Sequence, residues 1–462
     1  MNLWRGIKEN KNILHFLSLL TISAAARQSL HSGLDIYLPK TIRYFGIPWE
    51  SVGHYIAAIN ALKFSVTSVG IICVPYFIKL LGEWKAFIYA NLCTGVAAVA
   101  FGFSWNIICL FVTLFFLAFL NGIITIIQTI AYRLCTPQNE VLVLVLTITY
   151  PITIGSLIGP IFGGFLALPK DQGIIEIPSR FFESFPVLLP NAIIGIVMIL
   201  IAIVASRVIS PEKTIELVVS NDNLGTYQAL KTSERIKVNK DSSMWKALLK
   251  NKSFIFVSIL YTLVQCANSA YISTLNIWLE TPHELSGMEL EPKVVGTLMV
   301  AASLIALLFE MYLIHKANER VGHQMCLVLW CLASEFLIPL TIYLGDFSKN
   351  IYFELALILL LGINFICMSG RTTALNMYLK DSVDKSDWAS ASSMASTCSY
   401  LMRGLATLIA GNLFSWSLKN EAAIYEYGLG YPLDHNFVFL LLSLLYMVAA
   451  VIGGILPTII SN

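Results

Sequence analysis

Apolar residues in this chain gather in long blocks separated by short polar intervals. A helix needs about 20 mostly apolar residues to cross a hydrocarbon core of about 30 Å, at about 1.5 Å per residue. By that ruler the sequence predicts twelve spans, at 13–44, 52–80, 86–104, 107–132, 140–168, 187–209, 252–280, 293–315, 323–344, 350–380, 385–416 and 435–457. Several exceed the minimum, which predicts tilt or ends that reach into water. Alternation of the strand kind is absent, so a membrane β-barrel is excluded. The expected fold class is an all-α integral membrane protein of twelve transmembrane helices in two six-helix halves.

The polar intervals set the organisation. Residues 1–12 read as a retained cytoplasmic tail, because Arg5, Lys8 and Lys11 precede the first span and no small-residue cleavage site follows a short apolar core. Residues 13–209 and 252–457 form the two halves, and 458–462 a short tail. Between the halves, 210–251 is a polar, basic stretch that reads as a flexible cytoplasmic linker. With the N-terminus inside, the inside loops hold about 19 Lys/Arg and the outside loops about 7. That bias places both termini in the cytoplasm. Plasma membrane and vacuolar membrane are both open.

Composition narrows the class. The chain is 57% apolar and 13% charged, against about 25% charged in an average soluble chain. A soluble protein this apolar could not cover its surface with polar groups. Thirty Lys+Arg against twenty-eight Asp+Glu leave no basic field for nucleic acid. The nine cysteines fall mostly in apolar runs, with no CxxC pair and no His/Cys or His/Asp cluster at metal spacing. No phosphate-cradling GxxxxGK[ST], HExxH or GxSxG string is present. Nothing here calls for an enzyme, a cofactor or a bound metal.

Two patterns suggest a doubled architecture. Lys79-Leu80-Leu81-Gly82 follows the second span, and Glu319-Arg320-Val321-Gly322 follows the eighth. The fifth span carries Gly155, Gly159, Pro160, Gly163 and Gly164 as GxxxGPxxGG. Three glycines spaced by four share one helix face and let another backbone approach closely. Pro160 removes a helical hydrogen bond and predicts a bend.

With that string, the chain resembles the major facilitator superfamily, whose antiporter motif has this form. It is more narrowly similar to the zinc-induced-facilitator-like branch of the twelve-span drug:proton antiporters. The similarity extends through Tyr37-Leu38-Pro39, Phe119-Leu120-Asn121-Gly122, Phe185-Pro186 and Phe414-Ser415-Trp416. It implies a monomeric transporter working by alternating access. Departures are specific. In the loop after the second span Lys79 stands where the family has an acid. In the fourth span Leu114 stands where an arginine is expected, and Arg133 where an acid is. That network is the family's usual route for proton coupling.

A charge at the bilayer centre costs at least about 2.5–3.5 kcal/mol, so the ionisable residues within spans are site candidates. Arg27, His31 and Asp35 stack at i, i+4, i+8 along the first span. An imidazole titrates near neutral pH, so this stripe suits a proton or charged-solute path. The bland alternative is a structural ion pair, for instance Lys63 of the second span with Asp35. Asn60 and Lys63 share a face, as do Asn121 and Gln128 in the fourth span. The second half offers Gln265 and Asn268, then Glu310, Asn364 and Arg371, and finally Tyr400 and Arg403. Asp35, His31 and Glu310 are the proton-carrier candidates. Arg27, Lys63, Arg371 and Arg403 are candidates for binding an anion or pairing with a carboxylate, and the sequence does not choose between the last two arginines.

The leading functional expectation is export of a small organic solute against protons, that is, an antiporter. A proton-independent facilitator and a non-transporting scaffold or receptor of the same fold are the alternatives.

Overall fold

The computed structural model describes residues 11–134, 147, 150–168, 182, 184–208, 210, 248–344, 351–383, 388–422 and 430–461. Most of the linker at 210–251, and most of the tail at 1–12, lie outside them. Among the described residues the regular structure is helical, without strands. In order the α-helices are α1 (Lys11–Tyr44), α2 (Trp49–Leu81), α3 (Glu83–Gly102), α4 (Ile107–Leu120), α5 (Ile123–Leu134), α6 (Tyr150–Leu166), α7 (Leu188–Arg207), α8 (Lys252–Glu280), α9 (Pro292–Leu344), α10 (Ile351–Asp381), α11 (Trp388–Ala422) and α12 (Asn436–Ser461).

Nine described stretches are long and apolar enough to cross a membrane. The remaining expected spans correspond to α1, α6 and α11. α1 carries the Arg27–Asp35 stripe and α11 begins with a serine-rich run, so both are diluted in hydropathy by the polar residues of interest here. Large apolar side chains such as Ile72, Ile108, Leu308 and Phe336 stand exposed around the outside. Such a belt would be an aggregation liability in water and is the natural surface towards lipid tails.

Two local departures from straight spans stand out. The fourth expected span is broken into α4 and α5 by a turn at Asn121 and Gly122. Thr67 donates to the Ala118 carbonyl at 3.0 Å, and Gly122 packs against the α2 backbone at Gly70, so α2 holds the break from the side. In α9 the eighth and ninth spans join at Gly322, whose φ of 76° and ψ of 159° are not helical. Gly82, between α2 and α3, has φ 78° and ψ 156°. The two glycines singled out by the internal repeat therefore adopt one conformation, which is open almost solely to glycine.

The glycine face of α6 receives α1. A side chain at Gly159 would collide with Ser32 and the Ser29 carbonyl, and one at Gly163 with the backbone of Gly33. The contact is tightened where Ser32 donates to the Gly155 carbonyl at 2.9 Å. Gly164 meets Gly296 at the start of α9 in the same backbone-to-backbone way. Lipid gives helices no hydrophobic reason to associate, so this close packing supplies the adhesion instead.

Buried apolar residues form three cores. One lies wholly within α1–α7 and includes Phe16, Leu20, Val74, Phe87 and Ile127. Another lies within α8–α12 and the segment leading into α8, with Phe254, Leu260, Leu375 and Ala395. The third mixes both sets, joining Leu34, Tyr37, Ile56 and Leu117 to Tyr271, Trp278, Phe414 and Phe439. The two halves are therefore fused at one end and have separate cores at the other.

Candidate functional site

The polar side chains of α1, α2 and α11 meet where the shared core gives way to the separate ones. Arg27, Lys63 and Arg403 each lie near the middle of their helices. Lys63 is buried, and its Nζ donates to Asp35 Oδ1 at 2.8 Å. Arg27 is buried too, and its Nε donates to Asn121 Oδ1. The turn between α4 and α5 is what delivers Asn121 to that position. Asn121 in turn donates to Thr67 Oγ1 at 3.4 Å. His31, half-buried, lies within electrostatic reach of Arg27, Lys63 and Arg403, with the Asn121 side chain beside it.

The other half closes this cluster. Arg403 lies 4.8 Å from the Phe64 ring of α2 and 5.1 Å from Tyr400, distances at which a guanidinium is attracted to an aromatic face. Its Nε donates to Ser269 Oγ at 2.5 Å. Lys63 approaches the same Phe64 ring at 5.1 Å, and Tyr400 faces both Phe64 and Arg27. Gln265 and Tyr261 sit against each other on the α8 side.

Arg371, Asn268 and Asn364 are placed elsewhere. Arg371 is 1% exposed and stacks on Tyr446 of α12 at 4.2 Å. It donates to Asn268 Oδ1 at 2.9 Å, to the Trp330 carbonyl at 3.2 Å and to Ser334 Oγ. Ser334 donates to Asn364 at 2.9 Å. This group ties α8, α9, α10 and α12 together behind the interface between halves. Both terminal nitrogens are taken and the Nε is left unpartnered; a buried cation whose terminal donors are all engaged has the contacts of a structural one. The two arginines that the sequence leaves equivalent are thus separated: Arg403 faces the other half and Arg371 does not. The side chains of Gln128 and Glu310 lie outside the described residues.

On the fused side of the cluster a small cavity is lined by Asp35, Leu38, Pro39, Ile56, Asn60, Ser273 and Asn276. Asn60 Nδ2 donates across the halves to Ser273 Oγ at 2.8 Å. The buried Oδ1 atoms of Asn60 and Asn276, two of the residues around this mostly apolar cavity, have no hydrogen-bond partner. Beyond it, further contacts seal this end. His54 meets Asn412 at 2.6 Å and Lys419 at 3.4 Å. Glu280, at the end of α8, is 1% exposed with no hydrogen-bond partner for either carboxylate oxygen, and Lys40 of α1 is its nearby opposite charge.

Sequence reasoning does not single out Glu280, Lys40, Phe64, Ser273 or Asn276. Glu280 and Lys40 sit at span ends, where a charge is ordinarily solvated. Phe64 in an apolar run carries no signal of its own; its position next to Lys63 is the only hint.

Residues 20–407 match the sequence profile of the Major Facilitator Superfamily. The chain belongs to that family. Among curated proteins it is 27% identical over 347 residues to Protein ZINC INDUCED FACILITATOR-LIKE 1 of Arabidopsis thaliana, covering 70% of this chain and 68% of that protein. It is 22% identical over 390 residues to a probable peptide/nitrate transporter of the same plant, covering 81% and 76%. Among solved structures, a D-xylose-proton symporter superposes with TM-score 0.68 at 12% identity, covering 95% of this chain and 97% of that one. A bacterial homologue of the human lysosomal transporter Spinster, inward-facing and occupied, gives 0.64 at 14% identity, covering 96% of each. These structural likenesses concern the fold alone. The chain is accordingly a multi-pass membrane transporter of the all-α major facilitator fold and not an enzyme. As such it takes a small-molecule substrate and sits in lipid.

Proposed function

We propose that this chain exports a small organic solute by alternating access, driven by protons moving the other way. The arrangement of the three cores carries the reading. A charged cluster at the junction between a fused end and two separate cores sits where a site reached from one end at a time would lie, which is half of an alternating-access cycle. The other half needs the shared core to part while the separate cores join. In this proposal residues 13–209 and 252–457 rock against each other, with 210–251 as their cytoplasmic connection. In this reading the lysine and arginine bias of the loops assigns the end with separate cores to the cytoplasm.

Asp35, His31 and Glu310 are the proposed proton carriers. A proton on Asp35 removes the charge that holds Lys63 and frees that ammonium for another partner. The test is uptake into proteoliposomes, with and without an imposed pH gradient. The labelled panel is benzoate, succinate, benzamide and tetraethylammonium. Saturable flux of at least one compound, raised by the gradient and lowered in Asp35→Asn while the variant still inserts, is the expected result. Undiminished gradient-driven flux in Asp35→Asn removes Asp35 from the mechanism.

A second reading is favoured by one observation. Leu114, standing where the family has an arginine, is buried among apolar residues. A facilitator without proton coupling needs no charge there. Flux indifferent to the pH gradient would select this reading.

A further inference from the structure

We infer that the solute carried is an organic anion, with its carboxylate seated between Arg27 of one half and Arg403 of the other. The inference rests on the transport reading above and names the class of its substrate. Its basis is a charge imbalance. Around His31 stand three cations, Arg27, Lys63 and Arg403. Among the described residues they have one carboxylate between them, Asp35, and it is engaged by Lys63 at 2.8 Å. Among the described residues Arg27 and Arg403 remain without a counter-charge.

Fixed positive charge in the middle of a membrane protein is costly and is normally paired. Here each guanidinium is instead held by neutral groups. Arg27 has the Asn121 amide oxygen and Arg403 has Ser269 Oγ, with the faces of Phe64 and Tyr400 beside it. These contacts orient the two groups without neutralising them. Only one nitrogen of Arg403 has a hydrogen-bond partner among the described residues, which leaves its paired terminal donors to a ligand. A guanidinium fork matches a carboxylate, and two forks from opposite halves would let one bound anion draw the halves together. Arg371 likewise has no carboxylate among its contacts, but both of its terminal nitrogens are taken, by Asn268, Ser334 and the Trp330 carbonyl. Among the described residues, what sets the junction apart is thus three clustered cations with terminal guanidinium donors still open. A cation would meet the cluster with net repulsion, and a neutral solute would leave two charges unanswered.

The experiment measures thermal stability of the purified full chain in detergent, at matched chloride-balanced ionic strength. The ligands are benzoate, succinate, benzamide and tetraethylammonium. A ligand of the folded state raises the melting temperature saturably. At least one of the two anions is expected to do so, and benzamide and tetraethylammonium are not. Arg403→Gln is expected to weaken the anion's effect about tenfold or more, while Arg403→Lys, which keeps the charge, retains most of it. Elution of each variant as a single monodisperse peak guards against misfolding. If neither anion stabilises the wild type, the inference is overturned whatever the other compounds do. Equal anion binding in Arg403→Gln overturns the assignment to that arginine. The two readings fail separately. Saturable flux of benzamide or tetraethylammonium in proteoliposomes, with the anions inert, would sink the anion class and leave transport standing. Absence of flux for all four would remove both.

Discussion

At the scale of single residues, the Lys63–Asp35 pair makes a sharp claim. Removing one partner of a buried ion pair strands the other charge, typically at about 3–5 kcal/mol, whereas replacing both with apolar groups can be nearly neutral. Lys63→Met is therefore expected to lower the apparent melting temperature more than the double variant Lys63→Met/Asp35→Leu. Thermal unfolding in detergent reads the order directly, and the opposite order would mean the pair adds net stability. Glu280 offers a complementary sign test. Among the described residues its buried carboxylate has no side-chain hydrogen-bond partner, and Lys40 is its nearby opposite charge. Glu280→Gln removes a carboxyl whose ionised form is poorly solvated and should not lower the melting temperature, while Lys40→Ala removes its nearby opposite charge and should lower it. Equal melting temperatures for the two variants would show that the carboxylate is not felt. The stripe of Arg27, His31 and Asp35 is legible in the sequence because i, i+4 spacing fixes its common face. The partner of each member is not, because Asn121 and Arg403 arrive from helices far away in the chain. Nor is the contrast between Arg371 and Arg403: both are lone cations in apolar helices, and only the neighbours Tyr446 and Phe64 tell them apart.

At the scale of elements, the span limits follow closely from hydropathy, because lipid demands a minimum apolar length and punishes charge within it. The break between α4 and α5 does not, since Asn121 and Gly122 are too few polar or flexible residues to interrupt a hydropathy window. It takes the neighbouring α2, through Thr67 and Gly70, to open the helix there. The repeated turn is legible as Gly82 and Gly322, and its shared backbone conformation explains why glycine recurs. A side chain at either position meets no atom within 4 Å, so any penalty is conformational. Gly82→Ala and Gly322→Ala are each expected to cost on the order of 1–3 kcal/mol. An unchanged melting temperature for both would show that the turns relax freely. Gly159→Leu tests the other use of glycine. Its side chain would push into Ser32 and the α1 backbone, so α1 and α6 could not approach, and the purified variant should elute as aggregate. A monodisperse, ligand-responsive Gly159→Leu protein would mean that the α1–α6 contact is dispensable.

At the scale of the whole molecule, the relation between the two ends decides whether the charged cluster can serve as a transport site. A rigid protein with one fused end would hold a solute without passing it on. Alternating access therefore predicts that the fused end must part once per cycle, and α2 and α11 are where it can be stopped. His54 and Asn412 touch across this end at 2.6 Å, next to Gly53 and Gly411, where the backbones of the two helices come into close contact. The variant His54→Cys/Asn412→Cys, with the exposed native Cys93 and Cys398 changed to Ser, should form a disulfide under mild oxidant. Flux through proteoliposomes should then stop and return on reduction, while each single-cysteine variant is indifferent to oxidant. Binding of a stabilising ligand should survive the cross-link, because in the proposed cycle the junction is reached from the end with separate cores. Loss of flux with retained binding separates a locked transporter from a damaged one. Full flux through the cross-linked protein would show that α2 and α11 need not separate, and the rocking of two halves would have to be replaced by a motion within them.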